Sequence, residues 1–269
     1  MSRTYQTEGI VLKGTPFGEA DRLLTIFSPE YGLIRAIAPS ARKPKSSLRG
    51  RTELFVVNHF LIATGKSLDR ILQADTQQSF PGLGQDVCKL AAGQYLIEVI
   101  LSLAIEGSAQ DQLYGLFTEH LRRLAEESQP ETLYAHLAQA LFHCLALEGF
   151  APQLHRCALS GEMISPNFLD RQWRIGFSNE LGGVVSLPVR LDQPLIVKRL
   201  TAIELSLLQH LSQSGLLQPS DFLPASTLKQ LRVWDWLTVE RVLRGYAQQQ
   251  LGKVFKAAPL VDSLWDLDF

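Results

Sequence analysis

The hydrophobic pattern of the chain changes its period at residues 80–84, which read FPGLG. Before this point, short apolar or β-branched runs are separated by Gly, Pro and Asp, a pattern typical of strands and turns. After it, apolar residues recur every three to four positions, as on one face of a helix. The sequence therefore predicts an α+β multi-domain protein with a strand-rich N-terminal unit and a helical remainder.

The first 80 residues contain five predicted strands and no helical period strong enough to compete with them. These strands are expected at residues 9–13, 22–28, 33–38, 53–63 and 68–77. Small closed barrels of five strands are typical of the OB-fold. We therefore expect residues 1–80 to form a five-stranded OB-fold β-barrel.

The remainder of the chain shows apolar stripes at helical spacing. Three stripes begin at Val87, Leu113 and Leu133, and a capping box at Thr201–Glu204 opens a fourth helix. Two further helical stretches are expected at the C-terminal end. They are residues 226–236 and 238–251.

A segment rich in Gly, Pro, Ser and Asn separates the third helix from the fourth. It reads as a small irregular insertion with one or two hairpins. We therefore predict an α-helical domain that carries this insertion and ends in a tail. The predicted ranges are 81–150 and 196–255 for the helical domain, 151–195 for the insertion and 256–269 for the tail.

The charge is distributed unevenly, although the formal net charge is only −1. Residues 1–80 hold eleven Lys or Arg and seven Asp or Glu, whereas the remaining residues hold fifteen and twenty. A near-neutral total can hide a local basic patch. The imbalance predicts different partners for the two parts of the chain.

The basic patch lies in one stretch, APSARKPKSSLRGR, residues 38–51. From Tyr31 to Thr52 there are six cations and no acid. Pro, Ser and Gly prevent a helix here, so we expect a strand end followed by a flexible loop that neutralises phosphates without reading sequence. The predicted DNA-binding residues are Arg35, Arg42, Lys43, Lys45, Arg49 and Arg51.

Charge alone supports two interpretations of this loop equally, phosphate binding and simple solubility. A place on an OB barrel favours nucleic acid, because such loops flank the face that holds single strands and aromatic rings there stack on bases. The nearby aromatic residues are Tyr5, Phe17, Phe27 and Tyr31.

The sequence gives no support for catalysis. Gly65-Lys66-Ser67 imitates the end of a phosphate-binding P-loop, but Phe60 stands where that motif needs its first glycine. The six histidines are scattered, and there is neither a G-x-S-x-G nor an H-E-x-x-H motif. We therefore expect a protein that is not an enzyme.

The features that bear on location favour a reducing cytosol. Cys88, Cys144 and Cys157 are too few and too widely spaced for a disulfide framework. The N-terminus MSRTYQTEG lacks the apolar core of a secretory signal, and the apolar run YLIEVILSLAI is too short to span a bilayer. We expect a soluble cytoplasmic protein without a membrane partner.

One long N-terminal stretch resembles the recombination mediators of the bacterial RecO family. It is TEGIVLKGTPFGEADRLLTIFSPEYGLIRAIAPSARKPKSSL, residues 7–48. The resemblance continues through Leu72–Asp75, EGFAPQLHRC and FSNELGGVVS, and covers roughly residues 1–190. The last third of the chain is similar in character only.

The resemblance implies a function in recombinational DNA repair, in association with the nucleoid. Proteins of this family have an OB-fold, a helical domain and a zinc-binding insertion. They bind single- and double-stranded DNA, anneal complementary strands and help to load RecA onto DNA coated by single-stranded DNA-binding protein (SSB). The implied protein partners are RecR, the acidic C-terminal tail of SSB, in some lineages RecF, and RecA indirectly.

This chain departs from the family at the zinc site, which consists of two Cys-x-x-Cys pairs. The corresponding positions are Cys157, Ser160, Ser186 and Val189. Only one of the four is a cysteine, and structural zinc is normally four-coordinate. We therefore predict a degenerate zinc-finger-like insertion without metal and a protein without a cofactor.

Two other functions stay open at the level of sequence. One is a non-catalytic scaffold that acts only through protein partners, and the other is an RNA-binding OB protein, because both nucleic acids present phosphates. The C-terminal DSLWDLDF, residues 262–269, is acidic and ends in Phe269, like an SSB tail. An ordinary tail is the simpler interpretation of these residues.

Overall fold

The computed structural model describes residues 4–127, 129, 132–187 and 198–265, and of residues 264 and 265 only the backbone. The chain divides into two units, Met1–Glu126 and Glu127–Phe269. Among its described residues, the first unit contains five strands and three α-helices. These are β1 (Thr4–Phe17), β2 (Asp21–Ser28), β3 (Gly32–Ala38), β4 (Val57–Ala63), β5 (Asp69–Gln78), α1 (Pro81–Gln85), α2 (Val87–Leu103) and α3 (Asp111–Glu126).

The five strands form a closed barrel in the order β1-β2-β3-β5-β4, which confirms the predicted OB-fold barrel. Neighbouring strands are antiparallel except β3 and β5, which are parallel. The long strand β1 pairs with β4 through its first half and with β2 through its second. A register shift between Val11 and Lys13 accompanies this change of partner.

The barrel core follows the alternation of the strands, because successive side chains point to opposite faces. Large apolar side chains from every strand fill it, and two residues of the β3–β4 connection join them. The core residues are Val11, Leu24, Ile26, Ile34, Ala36, Ala38, Ala41, Leu48, Phe60, Ile62, Ile71 and Ala74.

Helix α3 packs against the outside of the barrel at one end of β2. The buried ring of Phe27 lies 5.6 Å from that of Tyr114 and 6.5 Å from that of Phe117. The hydroxyl of Tyr114 donates to Glu8 Oε1 at 3.0 Å. The first unit therefore includes α1–α3, although the sequence predicted a boundary at residue 80.

The second unit contains helices and a small sheet. The helices are α4 (Leu133–Leu147), α5 (Ala202–His210), α6 (Ala225–Leu228), α7 (Val233–Leu251) and α8 (Ala258–Trp265), and the strands are β6 (Ile175–Ser178), β7 (Gly183–Val185) and β8 (Lys198–Leu200). The sheet is antiparallel in the order β7-β6-β8. Helix α7 packs against both α4 and α5.

Side chains cap and fix these helices. The predicted capping box at the start of α5 is confirmed: Thr201 Oγ1 accepts from the Glu204 N–H, and the Glu204 carboxylate accepts from the Thr201 N–H. Helix α8 is held by Asp262, whose carboxylate accepts two hydrogen bonds of 3.0 Å from Arg244. None of the helices in the described parts of the chain is both long and apolar enough to cross a membrane.

The structure corrects two expectations at the C-terminal end. A helix was predicted at 226–236 and another from Thr238, but α6 is only four residues long and α7 begins at Val233. Residues 256–269 were predicted to be a tail, but they contain α8. Val261 is buried there and accepts a hydrogen bond from the hydroxyl of Tyr134. The last four residues lie outside the described part.

Candidate nucleic-acid interface

The basic loop, residues 38–51, connects β3 to the turn that precedes β4. The sequence predicted a flexible loop, but its own apolar residues anchor it. Ala41 and Leu48 are buried in the barrel core, and Gly50–Thr52 forms one turn of 3-10 helix. Because Leu48 lies between Lys45 and Arg49, its burial keeps these exposed cations close to the barrel surface.

The first half of the basic loop is fixed on the turn between β1 and β2. The Ser40 N–H donates to Asp21 Oδ1 at 2.7 Å, and the Arg42 N–H donates to the Ala20 carbonyl at 2.9 Å. The Arg42 guanidinium also donates to the carbonyls of Gly18 and Glu19, both at 3.2 Å. Arg42 therefore contributes to loop structure while its charge stays exposed and without a carboxylate partner in the described chain.

Three cations of the basic loop are exposed to solvent and have no acidic partner among the described residues. Lys43, Lys45 and Arg49 are exposed, and no ion pair within the described residues involves them. Arg51 differs, because its guanidinium lies 3.4 Å from Asp75 Oδ1 and also donates to the Ala74 carbonyl on β5. Its positive charge is therefore shared with an acid of the same barrel.

Arg35 lies outside the loop, on the outer face of β3. Strand register places Arg35 opposite Thr25 of β2, which is in turn opposite Lys13 of β1. Two residues further along β3, Ile37 is opposite Arg70 of β5. Lys13, Arg35 and Arg70 are all exposed and have no ion pair among the described residues. We call these three residues the outer-face cations.

Neighbouring strands are about 4.8 Å apart, so Lys13 and Arg35, two strands apart, are separated by about 10 Å along the sheet, and Arg70 lies one strand beyond Arg35. Leu23 and Ile37 form a part-exposed apolar pair on the same face. Helix α3 packs on this face at Phe27, whereas Arg35 is exposed. The face thus combines unpaired positive charge with an apolar floor, an arrangement suited to a single nucleic-acid strand.

The four aromatic residues proposed from sequence occupy different places. Phe17 is 40% exposed at the end of β1, beside the turn on which the basic loop packs. Phe27 is buried and unavailable for stacking. Tyr5 and Tyr31 pack together with ring centroids 4.8 Å apart, and the Tyr5 hydroxyl donates to Asp69 at 2.6 Å. Phe17 is therefore the aromatic ring best placed to serve the basic loop.

The sequence did not reveal Lys13 and Arg70 as members of this surface. Both are isolated cations in strands, and it is the pairing of β1 with β2, of β2 with β3 and of β3 with β5 that brings them onto the same face as Arg35. Alternation within each strand indicated that they point outward. That they share a face with Arg35 could not be predicted without the strand order.

The predicted degenerate zinc site is partly assembled in the second unit. Cys157 Sγ accepts hydrogen bonds from the backbone N–H of Ser160 at 3.5 Å and of Ser186 at 3.4 Å. Val189 lies outside the described residues, and no group of three or more His, Cys, Asp or Glu in the described chain could hold a metal ion. The absence of zinc therefore stays a prediction.

The Cys157 thiol has a perturbed pKa. Burial raises the pKa, but hydrogen bonds from Ser160 and from the backbone N–H groups of Ser160, Ser186 and Leu159 outweigh it and lower it to about 6. The buried thiol of Cys144 behaves in the opposite way, because desolvation and then the charge of Glu148 raise its pKa to about 12. The hydrogen bonds from the Cys157 turn and from Ser186 therefore favour the thiolate form of Cys157.

Comparison with known proteins gives a consistent result over the whole chain. The family model described as Recombination protein O N terminal matches residues 1–80, and that described as Recombination protein O C terminal matches residues 84–259. A protein of Synechocystis sp. named DNA repair protein RecO is 66% identical over 271 residues, covering 100% of both chains.

Two further relatives carry the same name. The protein of Gloeothece citriformis is 50% identical over 283 residues and covers 100% of both chains. That of Nostoc punctiforme is 44% identical over 299 residues, covering 98% of this chain and 97% of its own.

Proposed function

The chain belongs to the RecO family of DNA repair proteins, and from this premise we propose that it binds single- and double-stranded DNA without sequence specificity and anneals complementary strands. The observation that carries the proposal is the basic loop, which presents Lys43, Lys45 and Arg49 without an acid partner in the described chain. The outer-face cations extend the same positive surface onto the barrel.

The chemistry of this surface explains binding without sequence reading. Lys and Arg that contact phosphates release counterions, which supplies affinity for any sequence. The apolar pair Leu23 and Ile37 and the exposed ring of Phe17 offer contacts to base faces, and every base has such a face. No carboxylate from the described residues neutralises Arg35 at the centre of the outer face.

Annealing follows from neutralising phosphates on two strands. Two strands repel each other through their phosphates, so a protein that screens both lowers the barrier to pairing. The basic loop and the outer-face cations together present several cations without an acidic partner among the described residues, enough to contact phosphates of two strands. The proposed function is therefore strand annealing, and it involves no bond-making step.

We further propose that the protein acts as a recombination mediator. In this role it helps to load RecA onto SSB-coated single strands together with RecR, and in some lineages RecF, and it contacts the acidic C-terminal tail of SSB. Family membership is the support for these partners. The proposal includes no enzymatic activity. It also includes no cofactor, because only one of the four family zinc positions is a cysteine in this chain.

The proposal is tested by DNA binding and annealing with a triple variant, Lys43→Ala/Lys45→Ala/Arg49→Ala. We expect the wild-type protein to bind oligodeoxynucleotides of unrelated sequence with similar affinity and to accelerate annealing of complementary strands. Losing three phosphate contacts lowers affinity about tenfold or more at moderate salt. Annealing slows with it.

A matched control is Lys229→Ala/Lys253→Ala/Lys256→Ala, which removes the same charge from exposed positions of the second unit. It is expected to bind DNA like the wild type. Binding of RNA but not DNA would establish the RNA-binding alternative. Absence of binding to either polymer would leave the scaffold alternative, and either result contradicts the proposal.

A further inference from the structure

The second unit carries two open clefts that share one wall. The first has a volume of about 770 Å³ and the second about 670 Å³, and Trp173 and Arg174 line both. These two residues belong to the segment between the Cys157 turn and β6. We call Trp173 and Arg174 the shared ridge.

Cations outnumber acids in the first cleft. Arg174 and Arg199 line it together with a single acid, Glu162. Both arginines are exposed, and no ion pair among the described residues involves either one. The second cleft adds Arg171, also exposed, but contains two acids, Asp170 and Asp235. The first cleft is therefore the one better suited to an anionic ligand.

The shared ridge is held in place by the backbone. The Arg174 guanidinium donates to the carbonyls of Arg171 at 2.9 Å and of Trp173 at 2.7 Å, so it is positioned without an acid. The Trp173 N–H donates to the Asp170 carbonyl at 3.1 Å, which closes the turn before the ridge. On the neighbouring strand, register places Arg199 opposite Gly176, where a side chain is lacking.

Exposed apolar groups accompany the charges. Trp173 is only half-buried, Met163 of the first cleft is 63% exposed and Leu169 of the second is 98% exposed. Trp173, Arg174 and Arg199 line the same cleft. An aromatic ring with cations beside it is the combination that binds single-stranded nucleic acid, because bases stack on the ring while phosphates contact the cations. An acidic peptide without an aromatic side chain would use the cations but would leave the ring without a stacking partner.

We propose that the shared ridge and Arg199 bind a second single strand of nucleic acid, with a base on Trp173 and phosphates at Arg174 and Arg199. This inference rests on the proposed function, in which annealing requires contact with two strands. It assigns the first strand to the basic loop and the outer-face cations of the first unit. The second unit then contributes a nucleic-acid site of its own.

The test compares binding of one strand with annealing of two, using the full chain. The variants are Trp173→Ala and Arg174→Ala/Arg199→Ala. The probe is a labelled oligothymidylate, which is annealed to oligodeoxyadenylate. Single-strand affinity at the basic loop is expected to change less than about twofold. The annealing rate, measured with the first strand saturated, is expected to fall about fivefold or more, as for loss of one stacked base.

Tryptophan fluorescence gives an independent readout. Saturating oligothymidylate is expected to quench part of the wild-type emission, and Trp173→Phe removes that part because stacking on the indole causes it. Arg199→Glu, a change at an exposed residue without an ion-pair partner in the described chain, is expected to fold normally and to anneal as slowly as the double variant. The control Lys229→Ala/Lys253→Ala is expected to anneal like the wild type.

The outcomes separate this inference from the proposed function. Wild-type protein that neither binds nor anneals DNA contradicts the proposed function itself. Wild-type annealing that is retained in Trp173→Ala, Arg174→Ala/Arg199→Ala and Arg199→Glu contradicts only the second-strand site. Quenching of the Trp173 emission by an acidic peptide, with no quenching by oligothymidylate, also contradicts the second-strand site.

Discussion

Gly32 shows how a single residue secures the start of β3. It adopts a φ of 61°, in the left-handed region that favours glycine. A Cβ at this position would overlap the carbonyl oxygen of Ile105 and lie 2.7 Å from that of Ser108. The next residue, Leu33, donates its N–H to the Ile105 carbonyl at 3.2 Å. The turn and the segment after α2 therefore approach each other too closely for any side chain.

Gly32→Ala is expected to lower the free energy of unfolding by about 3 kcal/mol, from backbone strain and overlap together. Denaturant unfolding measures it. Gly115→Ala is the control, because Gly115 lies in α3 with open space around its Cα. It is expected to raise the same free energy by about 0.5 to 1 kcal/mol. Equal effects of the two changes would contradict the close approach at Gly32.

Cys157 gives a prediction about pH. In a Cys88→Ser background, thiolate absorbance is expected to reach half its value near pH 6, because the hydrogen bonds to Sγ lower the thiol pKa to about 6. The folded pKa lies below the ordinary value, so ionisation stabilises the fold at high pH. This contribution is lost as the pH falls through about 6.

Cys157→Ser is the control for this titration. It is expected to abolish the absorbance step near pH 6 and to remove the corresponding pH dependence of unfolding. Cys144 stays protonated in this range, since burial raises its pKa to about 12. A step that occurs only above pH 8 would contradict the hydrogen bonds inferred at Cys157.

At the residue scale, sequence predicted which side chains are basic but not which have partners. Six cations were assigned to DNA as equals, yet Arg51 contacts Asp75 and Arg42 holds the β1–β2 turn. Both interactions join residues far apart in the chain, so composition cannot reveal them. The exposure of Lys43 and Lys45 could be predicted, because Pro and Ser surround them.

At the element scale, regular patterns were predicted well and helix starts less so. The five strands and the Thr201–Glu204 capping box follow from alternation and from local capping chemistry. The start of α7 does not follow from these patterns. The Asp235 carboxylate accepts a hydrogen bond from the Arg232 N–H, and the helix therefore begins before the predicted Thr238. Arg is not among the usual N-cap residues, so the sequence carries no signal for that start.

The outer face of the barrel gives a prediction at this scale. Replacing Lys13, Arg35 and Arg70 by Ala is expected to make the salt dependence of single-strand binding shallower, by a slope of about 2 for three lost contacts. Filter binding or anisotropy across salt measures the slope. The control is Arg122→Ala, whose guanidinium is already engaged by Glu119 and Glu126. An unchanged slope would exclude this face from the interface.

At the scale of the whole molecule, a net charge of −1 conceals distinct basic surfaces in the two units. The first unit presents the basic loop and the outer-face cations, and the second presents the shared ridge with Arg199. The sequence predicted the basic surface of the first unit from a run of charges. It did not predict that of the second, whose arginines are dispersed and meet only through the β6–β8 pairing.

The salt dependence of single-strand binding by the intact protein tests whether the basic loop contacts DNA phosphates. We expect affinity to fall steeply with salt, and Lys43→Ala/Lys45→Ala/Arg49→Ala to make the logarithmic slope shallower by about 2. The control Lys229→Ala/Lys253→Ala/Lys256→Ala is expected to keep the wild-type slope. A loop variant with the wild-type slope and affinity would contradict the assignment of the basic loop to DNA phosphates.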